Sequence, residues 1–451
     1  MRVFISYRSA PPVPSPNIRR LQEAFGIGLC ERVVKLCDAD IDLPEKGIVF
    51  IGGPSGCGKS SILRFLMRNL EGVVDLNATR LPDKPLIDTL DIGFGEALAL
   101  FGMVGLGEAF VLLRRYGELS DGQRYRARLA AALARQPAVL VADEFCSTLD
   151  RLTARVVAFN LRRLVWRRKF LAICAAAQND FLHDLQPDLT ILFERGNWVV
   201  RRHDPKPAPV SFAERITVRE GTKRDWDYFA RWHYRSHSLG IVDRIFVMEL
   251  EQEPVGIVVY GHPMGACALR NRATGGRYAG RPVSAKRALL DKELRVVQRI
   301  VVEPRFRGLG LAARLLRETM PRLGVRFVEC ITVMGGFSGF LQKAGFVCVG
   351  RVSAPRIGRL LLAALRQRGL DERVLTSPSL LERFLEEARG SDRILWGLVE
   401  RWWRGRRFTK GGGGLTPHRA ANALASELLS RPFYFICDLR RKENGASEDK
   451  R

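Results

Sequence analysis

Three groups of residues in this sequence have the types and spacing to do chemistry. The first is Gly53-Pro54-Ser55-Gly56-Cys57-Gly58-Lys59-Ser60-Ser61. Its glycines let successive backbone N–H groups curl around an oxyanion, and a helix starting there adds the positive end of its dipole. Lys59 can then reach a β- or γ-phosphate, and the Ser60 hydroxyl suits a Mg²⁺ ion. The second is Asp143-Glu144, which closes the apolar run Ala138-Val139-Leu140-Val141-Ala142. Asp143 can hold the water shell of that ion, while Glu144 next door can orient or deprotonate an attacking water. Between these groups, Ser120-Asp121-Gly122-Gln123 opens a helical run over 124–135, so Ser120 and the Gly122 amide offer a further helix start facing an anion. The third group is Arg305-Phe306-Arg307-Gly308-Leu309-Gly310-Leu311-Ala312, whose small residues again let amides approach a pyrophosphate.

Each group needs a strand to deliver it and a helix to follow it. Ile48-Val49-Phe50-Ile51 reads as a buried strand, and Ser61 to Asn69 continues as a helix. Leu294 to Pro304 reads as a strand running into the third group, with a helix over 313–323 behind it. The first block alternates apolar strands with amphipathic helices, which predicts an α/β layer. The second, about 213–352, mixes strands and helices less regularly, and the remainder reads mostly helical with one late strand, Phe433-Tyr434-Phe435-Ile436. Pro-rich stretches at 10–16 and 204–209 mark boundaries, and Lys410-Gly411-Gly412-Gly413-Gly414 reads as a hinge. The expected organisation is an N-terminal segment 1–19, a first α/β domain 20–203, a linker 204–212, a second domain 213–352 and a basic helical extension 353–451.

In order, the phosphate loop, Leu119-Ser120-Asp121-Gly122-Gln123, Asp143-Glu144 and Ser147-Thr148-Leu149-Asp150 resemble the Walker A, signature, Walker B and D-loop motifs of ABC-type ATPases over roughly residues 20–200. The resemblance implies Gly53, Ser55, Gly56, Gly58, Lys59, Ser60 and Ser61 on ATP, Ser60 and Asp143 on Mg²⁺, and Glu144 as the catalytic carboxylate. It also implies an ATP-dependent head-to-tail homodimer in which Ser120 and Gly122 face the γ-phosphate held by the other copy. Phe25 lies where the family often stacks an aromatic on adenine; a core phenylalanine is the other reading. The sequence departs from the family twice. Gln178 stands where a histidine is usual, and it can hydrogen-bond a phosphate without carrying charge. No glutamine marks the Q-loop, and Asp88 or Asp91 falls in that neighbourhood.

The third group and its flanking strand and helix resemble motif A of the GNAT acyltransferases, and Phe340-Leu341-Gln342-Lys343-Ala344-Gly345-Phe346 resembles that family's closing motif. Two registers fit motif A: Arg305/Gly308/Gly310 and Arg307/Gly310/Ala312, the second suiting the preceding Val302-Glu303-Pro304 better. The resemblance implies a GNAT-like α/β domain that binds acetyl-CoA or another acyl-CoA. Leu341 occupies the place of the family's usual tyrosine, so the general acid is missing. Glu293 is the candidate base, with Gln298 and Glu303 nearby, and His233 and His237 are candidates for the acceptor site.

Charge sets the partner. The chain has 451 residues, 73 basic against 48 acidic, for a net of +25. Residues 1–200 carry 26 basic and 22 acidic groups, a net of +4, which leaves +21 to residues 201–451. That asymmetry predicts contact between the second half and nucleic acid, RNA or DNA. The segment 267–291, with Arg270, Arg272, Arg277, Arg281, Lys286 and Arg287, suits phosphates or is a solvated basic loop, and Arg401-Trp402-Trp403-Arg404-Gly405-Arg406-Arg407-Phe408 interleaves cations with aromatics to grip phosphates and stack on bases, or ends an amphipathic helix whose tryptophans pack into the core. Nine cysteines without a C-x-x-C pair predict free thiols in a reducing cytoplasm, and no apolar run is long enough to span a membrane. The expected function is an ABC-type ATPase coupled to acyl-CoA-dependent N-acylation, acting on a nucleic-acid base amine. The alternatives are an ATP-gated nucleic-acid clamp or sensor whose second half does not catalyse, and a protein or small-molecule N-acetyltransferase.

Overall fold

The computed structural model describes residues 1–233, 239–405 and 414–440. The chain forms two compact units. The first comprises Met1–Thr217, Met248–Val255 and Val302–Leu311; the second comprises Val218–Val247, Gly256–Val301 and Ala312–Arg451.

In the first unit, β1 (Arg2–Ser9) and β2 (Arg32–Asp40) form an antiparallel pair. A six-stranded sheet follows, built from β3 (Gly47–Gly52), β4 (Val73–Asp75), β5 (Val139–Ala142), β6 (Leu171–Ala176), β7 (Leu189–Glu194) and β8 (Asn197–Arg202). Its order is β4-β5-β6-β3-β7-β8, parallel except for the β7–β8 hairpin. β3, β5 and β6 are buried at every position, which is why they read as unbroken apolar runs rather than alternating ones. Register then places the chemistry. Gly52 lies beside Ala176, Ala142 beside Cys174 and Asp75 beside Val141, so the segments leaving β3, β4, β5 and β6 emerge along one edge. Carboxyl ends of parallel strands at a switch in strand order are where such sheets bind ligands.

The second sheet contains β9 (Ile216–Glu220), β10 (Val242–Leu250), β11 (Glu253–Gly261), β12 (Leu294–Val302), β13 (Phe327–Thr332), β14 (Val347–Arg351) and β15 (Phe433–Asp438). Its order is β14-β15-β13-β12-β11-β10-β9. β12 and β13 run parallel, and their register holds Leu294 against Phe327, Arg295 against Val328 and Val296 against Glu329. Beyond these pairs both strands continue, to Val302 and Thr332, without pairing to each other.

β15 enters between β13 and β14, antiparallel to both. The helices expected as a C-terminal extension over 353–451 are therefore an insertion between two neighbouring strands of the sheet. They include Arg356–Gln367, Pro378–Ser391, Arg393–Gly405 and Pro417–Glu427, packed around Leu361, Leu365, Leu381, Leu385, Leu395 and Leu424. Ser377 and Thr416 cap two of them, each with proline at the first helical position. The expected linker 204–212 is not free along its length: Val210 and Phe212 are buried, and the Ser211 amide and hydroxyl donate to Asp184 at 2.6 and 2.7 Å. Among the described residues, no helix is long and apolar enough to cross a membrane.

Candidate functional site

The phosphate loop leaves β3 at Gly53 and enters the helix Lys59–Asn69. Gly58, the residue before that helix, sits at φ 106, a left-handed conformation that L side chains rarely adopt. Gly53 has a second reason to lack a side chain, since a Cβ there would lie 2.8 Å from the Cys57 sulfur and the Phe193 Cβ. The Lys59 ammonium folds back over the loop and donates to the carbonyls of Gly53 and Pro54, both at 2.8 Å. The loop thus holds a wrapped form with its cation poised above the amides, the arrangement a polyphosphate requires.

Asp143 follows β5, half-buried, and its Oδ1 accepts from the Glu144 amide at 3.0 Å. Glu144 is exposed and left-handed at φ 53. Ser60 and Asp143 line one recess of about 240 Å³ together with Arg64, Asp75 and Asn77. The oxygens of Ser60, Asp143, Asp75 and Asn77 are hard donors that fit Mg²⁺. Asp88 and Asp91 take no part in lining this recess. Instead Asn77 leaves the end of β4 and turns its amide toward the Asp143 carbonyl, 3.4 Å away. Sequence reasoning missed Asn77 because β4 is only three residues long; its signal was the apolar Val73-Val74 followed by polar oxygens.

Ser120 caps the helix Asp121–Ala134 in a reciprocal box: the Gln123 amide donates to its hydroxyl at 3.4 Å, and its own amide donates to Gln123 Oε1 at 3.1 Å. The helix start is exposed and its first N–H groups have no intrahelical partner. Farther along, the buried Tyr125 hydroxyl accepts from the Cys146 amide at 2.9 Å, tying this helix to the turn that carries Glu144. Tyr125→Phe leaves that buried amide unpaired, at a cost of about 1–3 kcal/mol. A chemical denaturation curve should shift its midpoint accordingly; an unchanged midpoint would mean that the bond contributes nothing.

Gln178 is exposed two residues beyond β6. Phe25 ends the helix Pro16–Phe25 with 72% of its surface exposed, which removes the core reading and leaves its ring open to a ligand.

The third group behaves differently from expectation. Gly308 and Gly310 are left-handed, at φ 87 and 82, and the helix Leu311–Thr319 follows, with Ala312 in its first turn. Within the first unit, a Cβ on Gly308 would lie 2.6 Å from the Asn160 amide nitrogen, while Gly310 has open space. The Gly308 carbonyl accepts from Arg163 at 2.8 Å, and the Arg307 carbonyl accepts from Asn160 at 3.4 Å. Arg307 turns its own guanidinium to the carbonyls of Gly107 and Val302, and Arg305 pairs with the buried Glu303.

Glu293 is corrected as a base. The Arg277 guanidinium grips it through two hydrogen bonds, 2.7 and 2.5 Å, and the Tyr278 hydroxyl adds a third at 3.2 Å. The hydrogen bonds from Arg277 hold its carboxyl below the usual range, opposed by partial burial. A carboxylate so satisfied is a poor proton acceptor. His233 packs its ring edge-on against Trp226, centroids 5.7 Å apart, and His237 lies outside the described residues. Gln298 donates to the Ile241 carbonyl at 2.8 Å, and Leu341 is fully buried.

Two of the six basic residues in 267–291 are likewise spent. Arg277 holds Glu293, and Arg270 is buried against Glu329, with Nη2–Oε1 at 2.6 Å and Nε–Oε2 at 2.8 Å. Arg272, Arg281 and Arg287 remain exposed. Trp402 is buried in the helical cluster, in line with the core-packing reading of this segment rather than the stacking one, and 406–408 lie outside the described residues.

No protein-family model matches the chain. An aliphatic sulfonates import ATP-binding protein, SsuB, of Burkholderia thailandensis is 32% identical over 210 residues, covering 40% of this chain and 59% of that protein. The chain thus spans about six tenths of that relative. An SsuB of Pseudomonas fluorescens is 31% identical over 217 residues, covering 43% of this chain and 78% of the relative. Among solved structures, the ATP-binding cassette MJ0796 in a dimeric post-hydrolysis state with ADP and Pi covers 39% of this chain at 16% identity and a TM-score of 0.32. The match to a relative across more than three quarters of its length makes the N-terminal two-fifths of this chain a member of the ABC ATPase family.

Proposed function

We propose that this chain couples ATP binding and hydrolysis to the transfer of an acyl group from an acyl-CoA, such as acetyl-CoA, to an amine nitrogen. One observation carries the acyltransferase part: β12 and β13 are held by three residue pairs and then continue without pairing to each other, and the chain leaving β12 passes through Gly308 and Gly310 into a helix. Strands that stop pairing suit the extended arm of a coenzyme A thioester, with unpaired backbone groups to bind its amides. Taken by itself, the loop around Gly310 suits a pyrophosphate.

In the ATPase part, Lys59 and the amides of the phosphate loop hold the polyphosphate, and Ser60 and Asp143 hold Mg²⁺ with Asn77 beside them. Bound Mg²⁺ neutralises charge that develops on the phosphate oxygens. Glu144 orients the attacking water, and Gln178 offers a neutral hydrogen bond to the γ-phosphate. A second copy supplies Ser120 and Gly122 to close each site, so ATP drives a head-to-tail dimer. The printed description of MJ0796 as a dimer is in keeping with that arrangement. The free cysteines suit a cytoplasmic setting.

A nucleic-acid acceptor, or a nucleic-acid clamp without acyl transfer, is the second reading. It is favoured by the net of +21 over residues 201–451 and by the exposed Arg272, Arg281 and Arg287. Incubation with labelled acetyl-CoA and Mg-ATP, in the presence of amines, protein, RNA and DNA in turn, tests both. Stable label on an acceptor is the expected result. Salt-sensitive nucleic-acid binding with no label on any acceptor would replace the transferase by the clamp.

A further inference from the structure

Resting on the acyltransferase reading, we propose that His262, held by Asp291 and faced by Asp243, is the general base of acyl transfer and that these carboxylates select a cationic primary amine as acceptor. His262 follows β11 directly. Its Nδ1 lies 3.2 Å from Asp291 Oδ1, and its Nε2 lies 3.7 Å from Asp243 Oδ1. Asp243 is the second residue of β10, and its other oxygen pairs with the Arg295 Nε at 2.9 Å on β12. The imidazole is 35% exposed, so a substrate can reach it.

Sheet order sets this cluster on the β10–β11 side of β12, near the pairs that hold β12 to β13. Gly261 lies so close to Gln298 that a Cβ there would come within 1.7 Å of the Gln298 amide nitrogen. Gln298 stands two residues past Val296, the last residue of β12 paired to β13. His262 therefore lies near the level at which that pairing ends, and Arg295 is one of the paired residues. Glu293, by contrast, is occupied by Arg277 on the far side of Asp291 in sequence.

The chemistry follows from charge. An alkyl amine reaches the enzyme as an ammonium, which two carboxylates attract and a nucleic-acid phosphate would not match. Asp291 orients the ring through Nδ1–H, leaving the Nε2 lone pair for the substrate. One ammonium proton passes to Nε2 and on to water. The nitrogen lone pair then attacks the thioester carbonyl carbon; the C–N bond forms, the C–S bond breaks, and the thiolate takes up the second proton lost from nitrogen. Arg295, paired with Asp243, offsets part of the acidic charge.

Release of CoA thiol from acetyl-CoA by the full chain, with spermidine as the acceptor probe, tests the inference against a parallel titration of acetyl-CoA binding. Wild type should acetylate spermidine in preference to RNA or DNA oligonucleotides. His262→Gln should lower kcat by roughly 10²-fold or more and remove the acidic limb of the pH–rate profile, with acetyl-CoA affinity unchanged. Asp243→Asn, which preserves shape, should raise KM for spermidine about tenfold, the loss of roughly 1.4 kcal/mol of charge attraction. Acetyl-CoA binding with label only on nucleic acid, or a His262→Gln profile like wild type, overturns this inference alone. Failure to bind acetyl-CoA overturns it together with the acyltransferase reading.

Discussion

Glu144→Gln should leave ATP binding intact and lower ATP turnover by roughly 10²–10⁴-fold, the range that loss of a positioned proton acceptor produces. Glu144 sits directly after Asp143 at the carboxyl end of β5, exposed and left-handed, with its side chain outside the hydrogen-bond network that fixes its neighbour. The amide of glutamine keeps the size and the Asp143–Glu144 backbone bond but cannot accept the proton of water. Binding, by contrast, depends on Lys59 and the loop amides, which this change does not touch. With hydrolysis blocked, the closed pair of chains should accumulate, so size exclusion in Mg-ATP should move the variant to twice the monomer mass. Turnover near that of wild type would remove Glu144 from the reaction. A variant that binds ATP yet stays monomeric at high concentration would break the sandwich.

The largest stability effect is expected in the second unit. Arg270 and Glu329 are each 1% exposed and joined by two hydrogen bonds, and the Tyr434 hydroxyl donates to Glu329 Oε2 at 2.7 Å. Arg270 Nη1 also donates to the Met264 carbonyl at 2.7 Å, so most of the polar capacity of the cluster is used. Arg270→Met strands a buried carboxylate. Removing one partner from such a pair costs about 3–5 kcal/mol, which is on the order of 10 °C in melting temperature for a unit of this size. Changing both partners, Arg270→Met with Glu329→Gln, should recover much of the loss, because the Tyr434 hydroxyl can still donate to the glutamine oxygen. A single variant that melts with wild type would mean that the pair is open to water in solution.

That pair also explains what the sequence conceals. The phosphate loop, Asp143-Glu144 and the Ser120 cap were legible because their chemistry is local: strand, turn and helix start are written within a dozen residues. Arg270 was not, since its partner stands on β13 and nothing in a run of arginines marks which one is buried. Glu293 failed as a base for the same reason, its Arg277 clamp lying across a loop from it. The position of β15 was hidden by the helices inserted before it; a strand's neighbours are set by which edge its apolar face can cover, not by order along the chain. Asn77 fell between these cases. It was readable once β4 was known to pair with β5, because Asp75 stands opposite Val141, two residues before Asp143.

Motif A presents a subtler case. Its glycines were legible as small residues that let amides approach an anion, and Gly308 and Gly310 are left-handed, yet Asn160 and Arg163 engage the Gly308 side of the loop. Gly310, which both registers share, is the glycine with open space beside it. Whether this loop carries a coenzyme is the hinge of the functional account. Calorimetric titration of the full chain with acetyl-CoA, in saturating Mg-ATP, asks it directly. The account predicts one site per chain saturating below about 1 mM, within the usual range for enzyme substrates. Absence of binding up to that concentration, with ATP still bound, would contradict it.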